Sequence, residues 1–416
     1  MSSLSASVWE GSAKLAKCLR TFQAGPGGVF GLRTNDPNRH VKPPRQLAVW
    51  KATSDPALTN PAPNNQASAA RAWPFDPLGH PCDLHFTNAA ANEIADLMVD
   101  FKPQVVVVEG LWPIRYLNTL KRFDCRIILD CHNVEAKVYQ EIADSIKGDD
   151  LPARLARKLL PARTKMVEQG AVQIVDQLWV CSDTDKTLMI ELYGNSIPIE
   201  VIPNSIDVSS YDAVRLRCYR CPEEIDSNDK IVIYPALFGW QPNAVAATFL
   251  IKEFFPRLAT LFPGCQLLLA GSRPTPEMIE AGQKNSRIII TDTVADMKPY
   301  LAASSIMVVP LFQGGGTRFK ILEAFAANLP VVSTSKGAEG LAVQHGKHLL
   351  IAENVDEFIA GVQRLWTDVG IASDLKANAM ELVDEHYSLT AVSKKIRIAV
   401  QNLELVNRPE TRNLPT

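Results

Sequence analysis

Long hydrophobic runs are missing from this sequence. Apolar runs such as Val105–Val108 and Ile231–Tyr234 have the length of a strand, far short of the roughly 20 residues that a helix needs to cross a bilayer. The first 20 residues also lack a basic start followed by an apolar core, which is the pattern of a secretory signal. We therefore expect no transmembrane helix and no secretory signal, and we expect a cytoplasmic protein.

An excess of charge of either sign is also missing. Lys and Arg together number 43 against 45 Asp and Glu, which gives a formal net charge of −2. A chain without a strong positive field has little with which to hold a polyanion. Nucleic-acid binding is therefore not expected.

Cysteine is sparse, and its spacing follows no disulfide framework. Cys218 and Cys221 form the only close pair among the eight cysteines. A zinc site needs two further thiolate or imidazole ligands, and none lies near this pair in the sequence. We therefore predict chance spacing in a loop, no metal site, and a reducing compartment.

The remaining composition is that of a folded globular protein. The 416 residues are 46% hydrophobic and 21% charged, and at roughly 100–200 residues per domain they predict two or three domains. Short β-branched runs alternate with segments of helical period, which is typical of parallel sheets covered on both faces by helices. The predicted strands are Val105–Val108, Arg126–Leu129, Leu178–Cys181, Glu200–Ile202, Lys230–Tyr234, Gln266–Leu269, Arg287–Ile290, Ser305–Val309 and Pro330–Ser333. The predicted helices between them include Asn88–Phe101, Ala244–Phe262 and Ile321–Ala327.

The strands fall into two sets, which residues 205–229 divide because they show no sustained period. We predict an α/β protein with an N-terminal doubly wound domain over residues 1–205, whose first 80 residues are irregular, and a linker at 206–229. A second doubly wound domain is predicted at 230–385. A helix that crosses back, and a tail, are predicted at 386–416.

The richest stretch is a glycine-rich loop between a buried strand and a helix. Gly314, Gly315 and Gly316 free the backbone to approach a ligand, and a helix predicted to open near Thr317 and to end at Asn328 offers unpaired N–H groups. This combination predicts an anion site.

Charged side chains follow the same loop. Arg318 and Lys320 stand at the helix start, where a bound phosphate would offset the unfavourable helix dipole. Glu323 lies on the same helical face as Lys320 and can accept hydrogen bonds from ribose hydroxyls. The alternative is a flexible turn followed by a surface Lys–Glu pair. The loop is neither a Walker P-loop nor G-x-G-x-x-G.

These motifs, and their order along the chain, resemble those of family 4 (group 1) glycosyltransferases. The glycine loop, K-x-x-E-A-x-A and P-V-V-x-T resemble that family's donor-site signature. The resemblance implies the GT-B fold, with two Rossmann-like domains facing across a cleft that holds the nucleotide. The other stretches similar to the family, in chain order, are VVVVEGLW, LDCHNVE, LWVCSDTD, VIPNSID, WQPN, LLAG, GAEGL and ELVDEHYS.

The resemblance implies retaining transfer of a sugar from a nucleotide diphosphate sugar to a saccharide, lipid-linked or small-molecule acceptor, without a cofactor or metal. Glu323 corresponds to the family's ribose-binding carboxylate, and Asn204 belongs to its interdomain motif, in which Ser205 replaces the usual glycine. Gly315 stands where the family has the first carboxylate of this pair, which holds the donor sugar. The resemblance therefore implies that loop amides of Gly314, Gly315, Gly316 and Thr317 bind the donor instead.

A further departure from the family is YPALFG at residues 234–239, which lacks the usual glycine-led turn and basic residue. The loss of that cation makes Arg318 and Lys320 the expected partners of the diphosphate during catalysis. Lys320 and Arg318 would then neutralise the leaving group.

Polar residues also follow the strands of the N-terminal half. His132 comes just after a predicted strand, at the edge where doubly wound sheets place ligands. The resemblance implies that His132 orients the donor sugar, while Glu109, Asn133 and Glu135 serve the acceptor. Taken alone, a loop histidine is more often a local hydrogen-bond partner. Asp130 and His132 also resemble part of a hydrolase triad, but G-x-S-x-G is missing.

Residues 151–165 contain five cations and no acid. With Leu155, Leu159 and Leu160 on one side, this segment could lie on anionic lipid, as a membrane-bound acceptor would require. The alternative is a solvated helix, and Pro152 and Pro161 predict only two helical turns between them.

Two rival functions remain open at this stage. A nucleotide-sugar epimerase or phosphorylase on the same fold would consume its donor without an acceptor, or would require inorganic phosphate. A catalytically silent partner protein would bind the nucleotide sugar without turnover. The sequence leaves the base, the sugar and the acceptor open.

Overall fold

The computed structural model describes residues 29–34, 47–52, 82, 86–146, 148, 150–225, 230–314 and 319–405. The chain divides into two compact units. The N-terminal unit comprises Met1–Pro203 together with Val392–Thr416, and the C-terminal unit comprises Asn204–Ala391.

The N-terminal unit contains a parallel sheet of six strands in the order β2-β1-β3-β4-β5-β6. The strands are β1 (Val29–Thr34), β2 (Leu47–Ala52), β3 (Val105–Glu109), β4 (Arg126–Cys131), β5 (Gln177–Val180) and β6 (Ile199–Val201). Its first helices are α1 (Asn88–Phe101), a 3₁₀ turn (Ile114–Tyr116), α2 (Leu117–Leu120), α3 (Glu135–Ser145), α4 (Leu151–Val172) and α5 (Asp183–Tyr193).

Continuous apolar runs account for the central strands of this sheet. Every residue of Val105–Val108 is buried, as expected for parallel strands that are covered on both faces. The helix α1 has the predicted bounds because both ends have local signals. The Thr87 hydroxyl accepts a hydrogen bond from the N–H of Ala90 at 3.1 Å, and Lys102 ends the helix with a φ of 46°.

Helix α4 is longer than the sequence predicts. It begins after Asp150, whose carboxylate accepts from the N–H of Ala153 at 3.1 Å, and it continues through Pro161 to Val172. Pro161 lacks an N–H and removes one bond of the helical ladder. The prediction of only two turns is wrong because the buried side of α4 packs against α3 and stabilises the helix on both sides of the proline.

The C-terminal unit contains a second parallel sheet of six strands, in the order β12-β11-β10-β7-β8-β9. The strands are β7 (Ile231–Pro235), β8 (Gln266–Ala270), β9 (Ile288–Ile290), β10 (Ile306–Val309), β11 (Val331–Ser333) and β12 (Leu350–Ile351). The order reverses between β7 and β10. In an open α/β sheet, ligands bind at the carboxyl ends of the strands beside such a switch point.

The remaining helices surround this second sheet, apart from the last one. They are a 3₁₀ turn (Val208–Tyr211), α6 (Asp212–Arg215), α7 (Gln241–Phe249), a π-helical turn (Leu250–Phe254), α8 (Phe255–Leu261), α9 (Pro276–Lys284), α10 (Lys298–Ala303), α11 (Phe319–Ala326), α12 (Val355–Thr367), α13 (Val369–Leu382), a second π-helical turn (Val383–Tyr387) and α14 (Leu389–Leu405). None of the helices in the described ranges is long and apolar enough to span a membrane.

The predicted linker at 206–229 contains ordered structure of its own. Tyr211, Val214 and Ile225 are buried in the same core as β7. At the other end, α14 begins at Leu389, and its residues from Val392 onward group with the N-terminal unit. There the side-chain amide of Gln177 donates to the carbonyl of Ala399 at 3.1 Å.

Candidate functional site

A lysine lies at the switch point of the C-terminal sheet. Lys320 is on the first turn of α11, and its Nζ is 4.2 Å from the centroid of the Tyr234 ring and 3.4 Å from Oδ1 of Asn243. Tyr234 is the fourth residue of β7 and is fully buried. An ammonium group over a tyrosine face is stabilised by the ring quadrupole, so this cation is positioned at the carboxyl end of β7.

Asn243 connects the lysine to the loop after β7. Its Oδ1 accepts from the Tyr234 hydroxyl at 2.9 Å, and its Nδ2 donates to the carbonyl of Leu237 at 2.9 Å. The sequence placed Asn243 in WQPN and Tyr234 in the YPALFG departure, but it assigned neither a role. The packing shows that YPALFG supplies the aromatic face that positions Lys320.

The glycine loop follows β10 at the same switch point. Gly314 is buried and has a φ of 103°, a conformation that an L side chain rarely adopts. Gly315, Gly316, Thr317 and Arg318 lie outside the described residues. Their proposed contacts with the donor therefore remain predictions.

Glu323 lies one turn further along α11 and is half-buried. Its Oε1 accepts a hydrogen bond from the Tyr211 hydroxyl at 2.7 Å. Lys320 thus contacts buried Tyr234, and Glu323 contacts buried Tyr211. These contacts argue against the alternative of a solvated Lys–Glu pair. Sequence analysis missed Tyr211 because its partner is 112 residues away.

Asn204 is the first residue of the C-terminal unit and is half-buried. It precedes Ser205 and Ile206, which are both buried. The N–H of Ile206 donates to the carbonyl of Tyr387 at 2.8 Å. The Asn-Ser-Ile segment is therefore attached to the C-terminal unit through its backbone, and the donor-binding role of Asn204 stays a prediction.

A second cluster lies at the carboxyl edge of the N-terminal sheet. Glu109 and Asp130 are register partners at the ends of β3 and β4, and the N–H of Gly110 donates to the carbonyl of Asp130 at 2.8 Å. His132 follows, with its Nε2 3.8 Å from Oδ2 of Asp130. The Asn133 side-chain amide donates to Oε1 of Glu135 at 3.2 Å. The four site residues predicted in the N-terminal half therefore lie at one edge of one sheet. They are Glu109, His132, Asn133 and Glu135.

Two carboxyl groups of this cluster, those of Asp130 and Glu135, are desolvated. Burial raises the pKa of Asp130 to about 7. Burial, opposed by the Asn133 hydrogen bond and reinforced by Glu168, raises the pKa of Glu135 to about 7. Groups that titrate near neutrality at a ligand-binding edge are suited to exchange protons with a substrate.

Glu168 is a buried residue of this edge that sequence analysis missed. Its Oε1 accepts from the N–H of Glu135 at 2.8 Å, and its Oε2 accepts from the N–H of Ala136 at 3.1 Å and from the Tyr193 hydroxyl at 2.5 Å. Val134 provides no side-chain cap for α3, so Glu168 of α4 supplies the missing acceptor. The helix that follows the His132 loop is therefore capped from 33 residues away.

The C-terminal unit also matches a known sequence family. Residues 229–368 match the family model described as glycosyl transferases group 1. Over these residues the chain is similar to a group 1 glycosyltransferase domain. Within this domain lie β7, Tyr234, Asn243, Lys320 and Glu323.

Curated relatives of this chain are distant in sequence. It is 27% identical over 181 residues, 42% of the chain, to the "Uncharacterized 44.6 kDa protein in cps region" of Klebsiella pneumoniae. It is 24% identical over 265 residues, 58% of the chain, to the "Putative glycosyltransferase YtcC" of Bacillus subtilis (strain 168). The matches span 46% and 63% of the lengths of these two relatives.

Solved structures show the fold of this chain. Sucrose-phosphate synthase from Thermosynechococcus elongatus superposes with a TM-score of 0.67 at 16% identity, over 96% of this chain and 93% of that one. Anabaena HepE in complex with UDP and glucose superposes with a TM-score of 0.61 at 11% identity, over 90% and 99%. The predicted family resemblance and the predicted GT-B fold of two Rossmann-like domains are confirmed.

Proposed function

We propose that this protein is a retaining glycosyltransferase that moves a sugar from a nucleotide diphosphate sugar to a saccharide, lipid-linked or small-molecule acceptor. The observation that carries the proposal is the position of Lys320 beside Tyr234 and Asn243 at the switch point of the C-terminal sheet. The complex of the similar HepE structure with UDP and glucose supports a nucleotide-sugar donor.

The proposed reaction breaks the bond between the anomeric carbon and the diphosphate oxygen. An acceptor hydroxyl oxygen bonds to that carbon as its proton passes to the Glu135 carboxylate, and the nucleoside diphosphate leaves with the bonding electrons. Lys320 and Arg318 stabilise the growing negative charge, together with amides of Gly314, Gly315, Gly316 and Thr317. These groups supply the positive charge in our proposal, so we assign no metal or cofactor to the reaction.

Binding roles follow the chemistry of each side chain. We assign Glu323 to the ribose hydroxyls, because a carboxylate accepts hydrogen bonds from both, and Asn204 to the donor. His132 orients the sugar. Glu109, Asn133 and Glu135 serve the acceptor, and the raised pKa of Glu135 makes it able to take a proton near neutral pH.

Peripheral contact with a membrane on its cytoplasmic side is part of this proposal. Arg154, Lys158 and Lys165 are exposed on one face of α4 together with Leu151 and Met166, which are 60% and 72% exposed. Cations beside exposed apolar side chains suit an anionic lipid surface.

The three leucines that the sequence analysis placed on the lipid-facing side of α4 differ in exposure. Leu160 is buried, and Leu155 and Leu159 are half-buried. Leu160 packs into the protein, whereas Leu155 and Leu159 keep part of their side chains exposed. Any lipid contact through residues 151–165 would therefore use the face of Leu151, Leu155 and Lys158, which lies away from Leu160.

Two measurements test the proposed activity. A thermal-shift screen of UDP, GDP, ADP and their sugars should raise the melting temperature with one nucleotide series, since a ligand at 100 times its Kd adds about 2.7 kcal/mol of stability. NMR of the product should then show the anomeric configuration of the donor. Inversion would contradict the retaining mechanism, and loss of activity in EDTA would contradict the metal-independent one.

The rival functions give different results in the same assays. An epimerase or phosphorylase would consume the donor without an acceptor, or only with inorganic phosphate. A silent partner protein would show the thermal shift and no turnover with any acceptor. Acceptor-dependent release of the nucleoside diphosphate would rule out both.

A further inference from the structure

The Tyr211 hydroxyl donates a hydrogen bond to Oε1 of Glu323 at 2.7 Å. Tyr211 is only 7% exposed, and Nζ of Lys298 lies 5.6 Å from the centroid of its ring. A buried hydroxyl on one carboxylate oxygen restricts the rotation of that carboxylate. Glu323 is therefore oriented by a residue outside its own helix.

The segment that carries Tyr211 contacts α11 at a second point. Nη1 of Arg215 donates to the carbonyl of Ala326 at 2.8 Å and to the carbonyl of Val208 at 3.3 Å. Arg215 also pairs with Asp212. Ala326 lies three residues after Glu323, so the two contacts are about one helical turn apart. The double attachment limits the movement of Tyr211 relative to Glu323.

We propose that Tyr211 is a positioning residue that gives this protein its preference for ribonucleotides over deoxyribonucleotides. The proposal rests on the proposed function, in which Glu323 binds the ribose. A carboxylate that is oriented before the ligand arrives loses less conformational freedom on binding. A site built to pair with a hydroxyl also discriminates against ligands that lack it, because its own polar groups then stay unpaired.

The test measures affinity for UDP, 2′-deoxy-UDP and 3′-deoxy-UDP by calorimetry on the full chain. Tyr211→Phe keeps the buried ring and removes the hydroxyl. We expect it to weaken UDP binding by about 3- to 10-fold and to change binding of at least one deoxy analogue by less than about 2-fold. Arg215→Gln removes the hydrogen bond from Arg215 to the carbonyl of Ala326. This variant should also lower the preference for UDP over its deoxy analogues, by a smaller factor than Tyr211→Phe does.

A matched control comes from the same unit. The hydroxyl of Tyr300 donates to Oε1 of Glu224 at 2.8 Å, so Tyr300→Phe removes a hydrogen bond of the same kind from a carboxylate with no assigned role in binding. The preference for UDP over its deoxy analogues should be unchanged in this variant.

A double-mutant cycle tests whether Tyr211 acts through Glu323. In a Glu323→Gln background, Tyr211→Phe should cause no further loss of preference, because residues that act as one unit are not additive. Additive losses would overturn the proposal, as would equal weakening of UDP and both analogues by Tyr211→Phe, or no weakening at all. Wild-type protein that binds none of UDP, GDP and ADP would instead overturn the proposed function, and this inference with it.

Discussion

The ammonium group of Lys320 lies over the face of Tyr234, 4.2 Å from the ring centroid. The two residues are on α11 and β7, which lie on either side of the switch point. Because a buried aromatic ring is rigid, it gives the lysine a defined position that a solvated side chain lacks. In the proposed reaction, the ammonium group would therefore stabilise the leaving diphosphate without having to change its position.

Removal of this charge should lower the transfer rate. We expect Lys320→Gln to reduce kcat by about 100- to 1,000-fold, the effect of losing one preorganised electrostatic contact to a leaving group. Steady-state rates with the donor found in the thermal-shift screen are the measurement. Lys284→Gln is the control, because Lys284 pairs with Glu280 on the surface at 2.5 Å. A wild-type rate in Lys320→Gln would remove Lys320 from the site.

Removal of the Glu323 side chain should affect nucleotide binding, whereas removal of the His132 side chain should affect turnover. Glu323→Ala loses charge-assisted hydrogen bonds to the ribose, worth about 1.5–3 kcal/mol, and should weaken nucleoside diphosphate binding by roughly 10- to 150-fold. His132→Ala should bind the same nucleotide normally and lose turnover, since its assigned contact is with the sugar. Calorimetry and initial rates on both variants decide this. An equal loss of nucleotide affinity in the two would contradict the assigned roles.

Stability should depend on pH through Asp130. Its pKa is raised from 3.8 to about 7 by burial, so the folded state favours the protonated carboxyl. This contribution to stability is complete below about pH 4 and is lost as pH rises to about 7. Asp130→Asn removes this titration, so the stability of the variant relative to the wild type should rise by about 2.7 kcal/mol between pH 5 and pH 8.

Thermal melting at both pH values measures the Asp130 effect. Asp144→Asn is the control, because Asp144 is exposed and accepts a hydrogen bond from Gln140 at 2.8 Å. A stability difference between Asp130→Asn and the wild type that stays constant with pH would show that Asp130 does not titrate in this range.

The cap that Glu168 provides should be visible in amide exchange. Glu168→Gln weakens two backbone hydrogen bonds and should destabilise the protein by about 1–3 kcal/mol, with faster hydrogen exchange at the amides of Glu135 and Ala136. Tyr193→Phe should have the same effect to a smaller extent. Exposed Glu191, on the same helix as Tyr193, gives the control variant Glu191→Gln. Unchanged exchange at both amides would mean that Glu168 does not cap α3 in solution.

The exposed face of α4 should determine any lipid binding. Replacing Arg154, Lys158 and Lys165 with Gln should lower co-sedimentation with anionic vesicles, most strongly at low salt. Arg157 is kept, because it donates to the carbonyls of Ile146 and Gly148 at 3.0 and 2.6 Å. Equal sedimentation of variant and wild type would leave α4 as a solvated helix.

A charge-matched control for this triple variant comes from the C-terminal unit. Replacing Lys252, Arg257 and Lys284 with Gln removes the same number of cations from exposed positions on that unit. Lipid binding should be unchanged by these replacements. An equal loss in both triple variants would indicate a general charge effect instead of a docking face.

Patterns within the sequence predicted the central strands of both sheets and several helices, but not β2 (Leu47–Ala52) or β12 (Leu350–Ile351). Continuous apolar runs such as Val105–Val108 are typical of a parallel sheet covered on both faces. Local signals set the bounds of Asn88–Phe101, whose cap and end lie within its own sequence. The order of motifs along the chain was sufficient to predict the group 1 glycosyltransferase resemblance and the GT-B fold. All of these signals are local or sequential.

The side chains that position the candidate site could not be predicted from the sequence, because they act through contacts between distant segments. Tyr211 contacts Glu323 across 112 residues, and Glu168 caps α3 across 33. The continuation of α4 through Pro161 depends likewise on packing against α3. The physical reason is common to all three: a hydrogen bond or packing contact between distant segments depends on how strands and helices are arranged in space, and no residue spacing encodes that arrangement directly.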